Sequence, residues 1–453
     1  MGAYAFMSNS SLTNFDVSDC GTVKYGPYVF MNCRSLETID MNTNVIPAGA
    51  FYRCSKLKTV NIGSTVSYIG EYAFTDSAIQ QFSVANGNTT YKPSANKSYL
   101  LSADGTTLLL VAPAVKGSFT LPGVTEIGVG AFAGNTGITS VNMPDVTVVN
   151  DYAFAECKNI TNVTLGKLAA IGKYSFFLTS ITTLPSLDGV DRIGDYAFSF
   201  TLITEVNVGD GKVIGEGAFC ECTEITKVVI GNDVVIGKSA FLRGTTTDDP
   251  RNPGNYLNVG NKAVEDIESG FYRYDYLSKL TSLTIGNNAD IGEAAFMGAS
   301  YLTKVTLGDG ALIGKMAFYN CRSLFDINLS GAKKIGNMAF SGDNTYAFID
   351  AAGSDYAVRD NAYVLVYFNP IFSSIDLSSC EVIEDQAFIY CKKLTTVKLG
   401  DKITEVPYMA FANCDSLTTV NLENVVTIGY AAFGIQISLI ANHLFYGDAH
   451  IGE

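Results

Sequence analysis

A short unit of sequence recurs along almost the whole chain. One copy reads Ile193-Gly-Asp-Tyr-Ala-Phe-Ser-Phe-Thr-Leu-Ile-Thr204, and the shared core is Ile-Gly-x-x-Ala-Phe followed by Leu/Ile-Thr-x-Val-x-Leu/Ile. The phenylalanine of the unit falls at Phe6, Phe30, Phe51, Phe74, Phe132, Phe154, Phe176, Phe198, Phe219, Phe241, Phe271, Phe296, Phe318, Phe340, Phe388, Phe411 and Phe433. Most intervals are 21 to 23 residues. A fixed period of this size is typical of a solenoid, in which each coil contacts only its neighbours.

Each unit has two halves with different periodicities. In Leu57-Lys-Thr-Val-Asn-Ile62, apolar and polar residues alternate, which predicts a short strand with one buried face. In Ile127-Gly-Val-Gly-Ala-Phe-Ala-Gly-Asn135, the inward residues are three and four positions apart, which predicts about two turns of helix. One strand per coil, stacked on the next, predicts a parallel sheet.

The alternation of a Leu-x-x-Val-x-Leu strand with an Ile-Gly-x-x-Ala-Phe-x-x-Cys turn resembles the BspA-type leucine-rich repeat family, over nearly the whole chain. The resemblance implies a leucine-rich-repeat solenoid of about 17 coils. Such a solenoid has a parallel β-sheet on its concave face, and short helical or 3₁₀ turns with short strands on its convex side. Many members are surface proteins of gut and oral bacteria and of some parasitic protists. The family shares a scaffold and not a single ligand.

We expect one solenoid domain over residues 1–453, with irregular insertions at about 82–121, 242–270 and 341–380. The first insertion contains Tyr99–Val111, which predicts a β-hairpin that turns at Asp104-Gly105. The third resembles the first with this turn deleted. Long loops on a solenoid usually project from one side and carry function or mobility.

The composition excludes several classes of partner. A net charge of −14 and a pI near 4.7 argue against nucleic acid and against an anionic membrane surface, because both require clustered Lys and Arg. No run of 18 apolar residues is present, so membrane insertion is not expected. Neither a signal peptide nor an anchor is recognised, and we expect both to lie outside this sequence.

The residue types that catalysis needs are scarce. The only histidines are His443 and His450, near the C-terminus, and they favour a surface tail over a metal site. The segments Gly209–Gly215 and Gly308–Gly314 resemble nucleotide-binding loops, but the last glycine comes one residue late, so we interpret them as turns. The sequence therefore predicts neither an enzyme nor a cofactor or metal site.

Ten cysteines are present. Seven share one position, three residues after the phenylalanine: Cys33, Cys54, Cys157, Cys222, Cys321, Cys391 and Cys414. A position that faces the core in every coil suits the small, apolar side chain of a free cysteine. The pairs Cys33/Cys54 and Cys391/Cys414 lie on successive coils, which permits a disulfide without requiring one.

By analogy with other leucine-rich repeats, the third and fifth residues of each strand unit point outward on the sheet. We predict a binding surface there, formed by Thr59, Asn61, Ser140, Asn142, Asn162, Thr164, Glu205, Asn207, Lys227, Lys304, Thr306, Asp326 and Asn328. Tyrosines in the insertions form a second set of predicted contacts: Tyr91, Tyr99, Tyr256, Tyr274, Tyr276, Tyr356 and Tyr363. The alternative for these tyrosines is that they cover the core of their own irregular coils.

The resemblance implies a non-catalytic binding or adhesion scaffold that is extracellular or at a cell surface. Its ligand would be a protein or a glycan of a host or of a neighbouring cell. Two other functions remain open. Coils left open at both ends favour end-to-end self-association into filaments or arrays. A larger protein could also use the repeats as the recognition module of an enzyme.

Overall fold

The computed structural model describes residues 1–15, 22–41, 43–242, 279–341, 344–347, 364–367 and 370–434. The chain divides into two compact units, Met1–Leu280 and Thr281–Glu453. Both are built from β-strands joined by turns, and the described residues contain no helix. The chain forms about 16 turns of a parallel β-solenoid, which confirms the predicted leucine-rich-repeat fold.

The strands of the first unit have two to six residues, and outside the first insertion most coils combine a longer strand with a two-residue strand. They are β1 Asn14–Phe15, β2 Thr38–Met41, β3 Val45–Ile46, β4 Thr59–Ile62, β5 Tyr68–Ile69, β6 Gln81–Val84, β7 Tyr91–Pro93, β8 Tyr99–Ser102, β9 Thr107–Val111, β10 Gly117–Thr120, β11 Glu126–Ile127, β12 Ile138–Met143, β13 Val148–Val149, β14 Asn162–Leu165, β15 Ala170–Ile171, β16 Arg192–Ile193, β17 Glu205–Val208, β18 Val213–Ile214, β19 Lys227–Ile230 and β20 Val235–Ile236.

The second unit contains strands of two and of four residues. Its strands are β21 Ser282–Ile285, β22 Asp290–Ile291, β23 Lys304–Leu307, β24 Leu312–Ile313, β25 Asp326–Ile327, β26 Lys334–Ile335, β27 Asn344–Ala347, β28 Val364–Tyr367, β29 Ser374–Leu377, β30 Val382–Ile383, β31 Thr396–Leu399, β32 Glu405–Val406, β33 Thr419–Val420 and β34 Thr427–Ile428.

The longer strands bury every second side chain, as the alternating sequence predicts. In β17, Val206 and Val208 are each 1% exposed, whereas Glu205 and Asn207 face solvent. β17 pairs in parallel with β19, and Glu205 lies opposite Lys227. Because the register advances by one repeat per coil, equivalent positions of successive repeats lie side by side.

The two-residue strands form a second parallel sheet on the other side of each coil. In the first unit β16 pairs with β18, so that Ile193 lies beside Ile214 and both are buried. In the second unit β26 pairs with β30, and Ile335 lies beside Ile383. Most coils thus enclose their core between a longer strand and a short one.

The repeated phenylalanines stack through the core of each unit. In the first unit, rings from Phe132 to Phe241 lie 4.8–5.5 Å apart between successive coils, within 19° of parallel. In the second, rings from Phe296 to Phe433 lie 5.3–5.5 Å apart. Stacked pairs of this kind add to the free energy gained by burial. The predicted anchor Phe271 lies outside the described residues.

The turn half is not helical, so the expected helical or 3₁₀ turns are wrong. Tyr196 and Phe200 have φ angles of 55° and 58°, which a right-handed helix cannot contain. Ala197 N donates to Gly194 O across 3.2 Å, with the positive φ at the third residue of the turn, which is the geometry of a type II turn. The amide of Tyr196 instead donates to Glu216 O of the next coil. Consecutive turns and hydrogen bonds between coils replace the helix.

The first insertion contains the expected hairpin. β8 pairs antiparallel with β9, and Gly105 N donates to Ser102 O at the turn. β9 then pairs in parallel with β11, with Leu108 opposite Ile127, and thereby takes the place of a short strand. The insertion therefore contributes to the body of the first unit instead of projecting from it.

The third insertion is added between two consecutive coils. Phe340 stacks directly on Phe388 at 5.3 Å, although 48 residues separate them in the sequence. Within the insertion, β27 pairs antiparallel with β28. The second insertion, at about 242–270, lies outside the described residues except for Leu242.

The nine described cysteines form no disulfide and are buried, as predicted for the seven that share the core position. Those seven donate Sγ–H to the carbonyl of the anchoring phenylalanine in the preceding coil, at 2.9–3.6 Å. A thiol therefore holds two coils together at a point where only packing was predicted. Neither Cys33/Cys54 nor Cys391/Cys414 forms a disulfide.

Candidate interaction surfaces

The outward side chains of the longer strands form the first candidate surface, which we call the sheet face. All thirteen predicted residues point outward and are exposed or half-buried: Thr59, Asn61, Ser140, Asn142, Asn162, Thr164, Glu205, Asn207, Lys227, Lys304, Thr306, Asp326 and Asn328. Their orientation follows from the two-residue period, because the apolar neighbours on each strand face the core.

Four of these residues form one patch on β12 and β14. Ser140 lies opposite Asn162, and Asn142 lies opposite Thr164. The Ser140 hydroxyl donates to Ser118 Oγ at 2.8 Å. The side chains of the other three form no hydrogen bond with another described residue, so their amide and hydroxyl groups are free to bind a ligand.

The patch ends at an interruption of the sheet. Residues 181–187, which follow β14 in the next coil, form no strand. Pro185 occupies the position that Asn207 has in β17, and proline has no N–H to donate to a neighbouring strand. The predicted face is therefore divided within the first unit, with Glu205 and Lys227 on the far side of Pro185.

Several charges on the sheet face of the second unit pair with each other. Lys304 Nζ lies 2.8 Å from Asp326 Oδ2, and Lys398 Nζ lies 3.1 Å from Asp376 Oδ2. All four side chains are at least 41% exposed, and such pairs contribute little to stability. They neutralise the surface locally, and Thr306 and Asn328 are among its uncharged polar groups.

The predicted loop tyrosines do not form a surface in the described residues. Tyr91 is 8% exposed and belongs to the core, and Tyr99 packs edge-to-face on Phe119 at 5.7 Å. Both cover the core of their own irregular coil, so the expectation that they project as contacts is wrong. Tyr256, Tyr274, Tyr276, Tyr356 and Tyr363 lie outside the described residues.

A stack of half-buried tyrosines lines the turns of the first unit. The sequence places these tyrosines in the turn half, but it did not predict that their rings stack. Tyr152 lies 5.2 Å from Tyr174, and Tyr174 lies 5.0 Å from Tyr196, with rings within 13° of parallel. The next residue in this column is Gly217, where a Cβ would lie 2.2 Å from the Tyr196 ring. The available signal was the repeated Tyr-Ala/Ser-Phe step, which the helical interpretation obscured.

The first unit also contains a cavity of about 420 Å³, which we call the coil-break cavity. It lies between residues 67–75, which carry Phe74, and residues 126–135, which carry Phe132. The first insertion lines it through residues 90–91 and 107–113. The 58-residue interval between these phenylalanines signalled an insertion, but it did not reveal that the two coils separate.

The coil-break cavity is acidic and rich in tyrosine. Glu71, Glu126, Tyr68, Tyr72 and Tyr91 line it. Burial raises the pKa of Tyr91 to about 12. The pKa of Tyr72 is also raised, mainly by burial and further by nearby carboxylates that include Glu71. Such a cavity disfavours additional negative charge.

The described residues hold no group of three or more His, Cys, Asp or Glu side chains placed to bind a metal ion. The same part of the chain contains no helix with the length and apolar character needed to cross a bilayer.

The fold and the sheet face define the chain as a leucine-rich-repeat solenoid with a polar strand surface. Six copies of the BspA type leucine-rich repeat region match residues 1–100, 119–247, 265–364 and 366–446, and the chain belongs to this family. The family predicted from the repeat motif is thus confirmed.

Solved structures with a similar fold come from several bacteria. A leucine-rich cell surface protein from Faecalibacterium prausnitzii is 20% identical, with 90% of this chain and 86% of that chain covered and a TM-score of 0.35. A leucine-rich repeat protein from Bacteroides ovatus is 19% identical, with 97% and 80% covered and a TM-score of 0.36. One from Eubacterium ventriosum is 14% identical, with 91% and 87% covered and a TM-score of 0.31. No curated protein matches the chain.

Proposed function

We propose that the chain is a non-catalytic binding scaffold at a cell surface, and that its sheet face contacts a protein or glycan of a host or neighbouring cell. The observation that carries this proposal is the patch on β12 and β14, where Asn142, Asn162 and Thr164 present unpaired polar groups on a rigid sheet. Membership of the BspA-type family supports a scaffold, because leucine-rich repeats hold binding residues on a fixed framework.

The patch suits a polar ligand. Its amides and hydroxyls can donate and accept hydrogen bonds, and parallel pairing of the two strands fixes their spacing. No aromatic or arginine side chain lies on either strand, although these dominate many tight protein interfaces. Binding would therefore rely on several polar contacts that act together, and a single contact would be weak.

The test combines arrays of host proteins and glycans with surface variants. In the double variant Asn142→Arg/Thr164→Arg, two large cations cover the patch without entering the core, because both positions are exposed. We expect affinity for any array ligand to fall by about tenfold or more, since each lost hydrogen bond costs about 1 kcal/mol and the new side chains add steric obstruction.

The matched control is Val235→Arg, which places one arginine on the short-strand side, where Val235 is 43% exposed. It should bind as the unchanged chain does. If the affinity for a ligand falls equally in the control and in the double variant, or is unchanged in the double variant, the ligand does not bind at the patch. Absence of any ligand on both arrays would contradict the proposed function.

A further inference from the structure

We propose that the coil-break cavity binds an extended peptide segment that carries a lysine or arginine side chain. The cavity volume of about 420 Å³ lies within the range of small-ligand sites, about 300–1,000 Å³. This volume suits a segment of a few residues. The proposed site is separate from the sheet face and does not depend on it.

Unpaired backbone groups indicate a peptide. In regular coils the anchoring phenylalanine donates its N–H to the next coil, as Phe51 does to Ala73 O at 2.7 Å. At the break, the amides of Tyr72 and Phe74 have no hydrogen-bond acceptor among the described residues. They are two residues apart, as are the donors that a strand presents on one side. Carbonyls of an extended peptide match this spacing, and pairing would remove the cost of unbonded amides.

The opposite wall offers a backbone acceptor. Val129 O accepts no hydrogen bond within the described residues, whereas Ala131 O is occupied by Val111 N at 2.8 Å. One end of the gap is closed, because Thr75 Oγ1 donates to Ala133 O at 3.0 Å. The unpaired amides of Tyr72 and Phe74 therefore lie on one wall of the cavity, and the unpaired Val129 O lies on the opposite wall.

The charges indicate a cationic side chain. Neither Glu71 nor Glu126 forms an ion pair with a described residue. Asn150 Nδ2 donates to Glu126 Oε1 at 2.6 Å and fixes this carboxylate at the wall. Two carboxylates without a cation attract an ammonium or guanidinium group.

Calorimetric titration of the full chain tests the proposal with two peptides, acetyl-Ala-Lys-Ala-amide and its norleucine analogue. They have the same backbone and differ in the positive charge. We expect the lysine peptide to bind about tenfold or more tightly than the norleucine peptide, because only the lysine peptide can form charge-assisted hydrogen bonds to the two carboxylates. Equal affinities, or no binding of the lysine peptide, would overturn the proposal.

Two variants locate the site. Glu71→Gln/Glu126→Gln keeps the size of both side chains and should weaken the lysine peptide by about tenfold or more, with little effect on the analogue. Glu405→Gln, at an exposed position of the short strand β32, is the control and should change neither affinity. Loss of affinity in the control, or retention in the double variant, would show that the peptide binds elsewhere.

A steric variant tests the cavity itself. Val129 lines it and is 49% exposed, so Val129→Trp should obstruct the gap and abolish peptide binding while the far-ultraviolet circular dichroism stays unchanged. Retained binding in this folded variant would contradict the proposed position. The disaccharide diacetylchitobiose is the probe for the alternative that the cavity binds a saccharide and not a peptide. If the unchanged chain binds this disaccharide but not the lysine peptide, and Val129→Trp abolishes disaccharide binding, the cavity is a saccharide site and the proposal is overturned.

Discussion

Most coils depend on one aromatic ring that touches the rings of the coils before and after it. Phe198 is fully buried and stacks on Phe176 at 5.0 Å and on Phe219 at 5.5 Å. Neighbouring coils cannot close the space that would remain without this ring, because their backbones are hydrogen-bonded to each other on both sides. The energetic effect of a substitution therefore includes a cavity as well as lost hydrophobic burial.

Phe198→Ala should lower the free energy of unfolding by roughly 3–5 kcal/mol. Urea denaturation followed by circular dichroism measures the change. The control is Phe325→Ala, because Phe325 is 57% exposed and its loss should cost about 0.5 kcal/mol or less. Similar losses for the two variants would mean that the phenylalanine column does not anchor the coils.

Gly217 should tolerate no side chain while Tyr196 lies against it. Its φ angle is 56°, and a Cβ would lie 2.2 Å from the Tyr196 ring. Gly217→Ala should therefore cost at least about 1–2 kcal/mol of unfolding free energy, the usual penalty of a left-handed alanine, plus the cost of moving the ring. In a Tyr196→Ala background the loss should shrink to the backbone penalty. An equal loss in both backgrounds would show that the ring is not the obstacle.

Single residues differ in how much of their role the sequence reveals. The anchoring phenylalanines and the buried cysteines follow from strict recurrence at one position. The left-handed conformation of Tyr196 does not follow from the sequence, because a tyrosine does not signal a positive φ angle as a glycine does. Tyr196 adopts this conformation because its backbone is hydrogen-bonded to the next coil. The thiol donor of Cys157 was missed because cysteine was considered only as a small apolar group.

At the scale of the coil, the thiols predict a dependence of stability on alkaline pH. Burial raises the pKa of Cys54 and of Cys321 from about 9 to about 12. The folded state therefore holds these protons more tightly than the unfolded state does. Their contribution is fully present below pH 9 and is lost as the pH rises towards 12. Urea midpoints measured between pH 8 and pH 11 should fall accordingly.

The control for this pH effect is Cys54→Ala/Cys321→Ala. This variant should be less stable at pH 8, because it lacks two hydrogen bonds to phenylalanine carbonyls, and its midpoint should fall less steeply with pH. If the urea midpoint of this variant falls with pH as steeply as that of the unchanged chain, the loss of stability at alkaline pH is due to other groups, such as buried tyrosines.

The β8–β9 hairpin should loosen at acid pH. Asp104 accepts hydrogen bonds from Ser102 Oγ at 2.6 Å and from the amide and hydroxyl of Thr106. These bonds lower the pKa of Asp104 from 3.8 to about 2. Their contribution is present above pH 3.8 and is lost as the pH falls through 2. Between pH 5 and pH 2, the hairpin amides should lose more protection from hydrogen exchange than the β12 amides do. In the variant Asp104→Ala, the two sets of amides should no longer differ in this loss.

The sequence predicts the elements unevenly. The strands could be predicted because the alternation of apolar and polar residues indicates a strand with one buried face. The hairpin could be predicted because Asp104-Gly105 is a strong local signal for its turn. The turn half was misread, because inward residues at spacings of three and four also fit a chain of β-turns. Pro185 could have predicted the gap after β14, since proline is unsuited to a paired strand.

At the scale of the whole molecule, the recurrence of the motif predicts the family and the fold, because a repeated coil buries its core only by stacking. The sheet face follows from the same pattern. The coil-break cavity does not, since it arises where an insertion replaces one strand of a coil and leaves two amides without acceptors. Features that repeat can be predicted from this sequence, whereas a feature that occurs once can be predicted only where it has a strong local signal, as the Asp104-Gly105 turn does.

A solenoid should transmit a local defect only to nearby coils, because each coil contacts only its neighbours. Phe318→Ala, in the second unit, removes a ring that stacks on Phe296 and Phe340. Hydrogen exchange read by mass spectrometry should show lost protection in β23, β24 and β26, and unchanged protection in β12 and β14 of the first unit. The reciprocal variant Phe154→Ala should show the opposite pattern, since its ring stacks on Phe132 and Phe176. A uniform loss across both units in either variant would mean that the chain unfolds as one cooperative block, and nearest-neighbour coupling would be excluded.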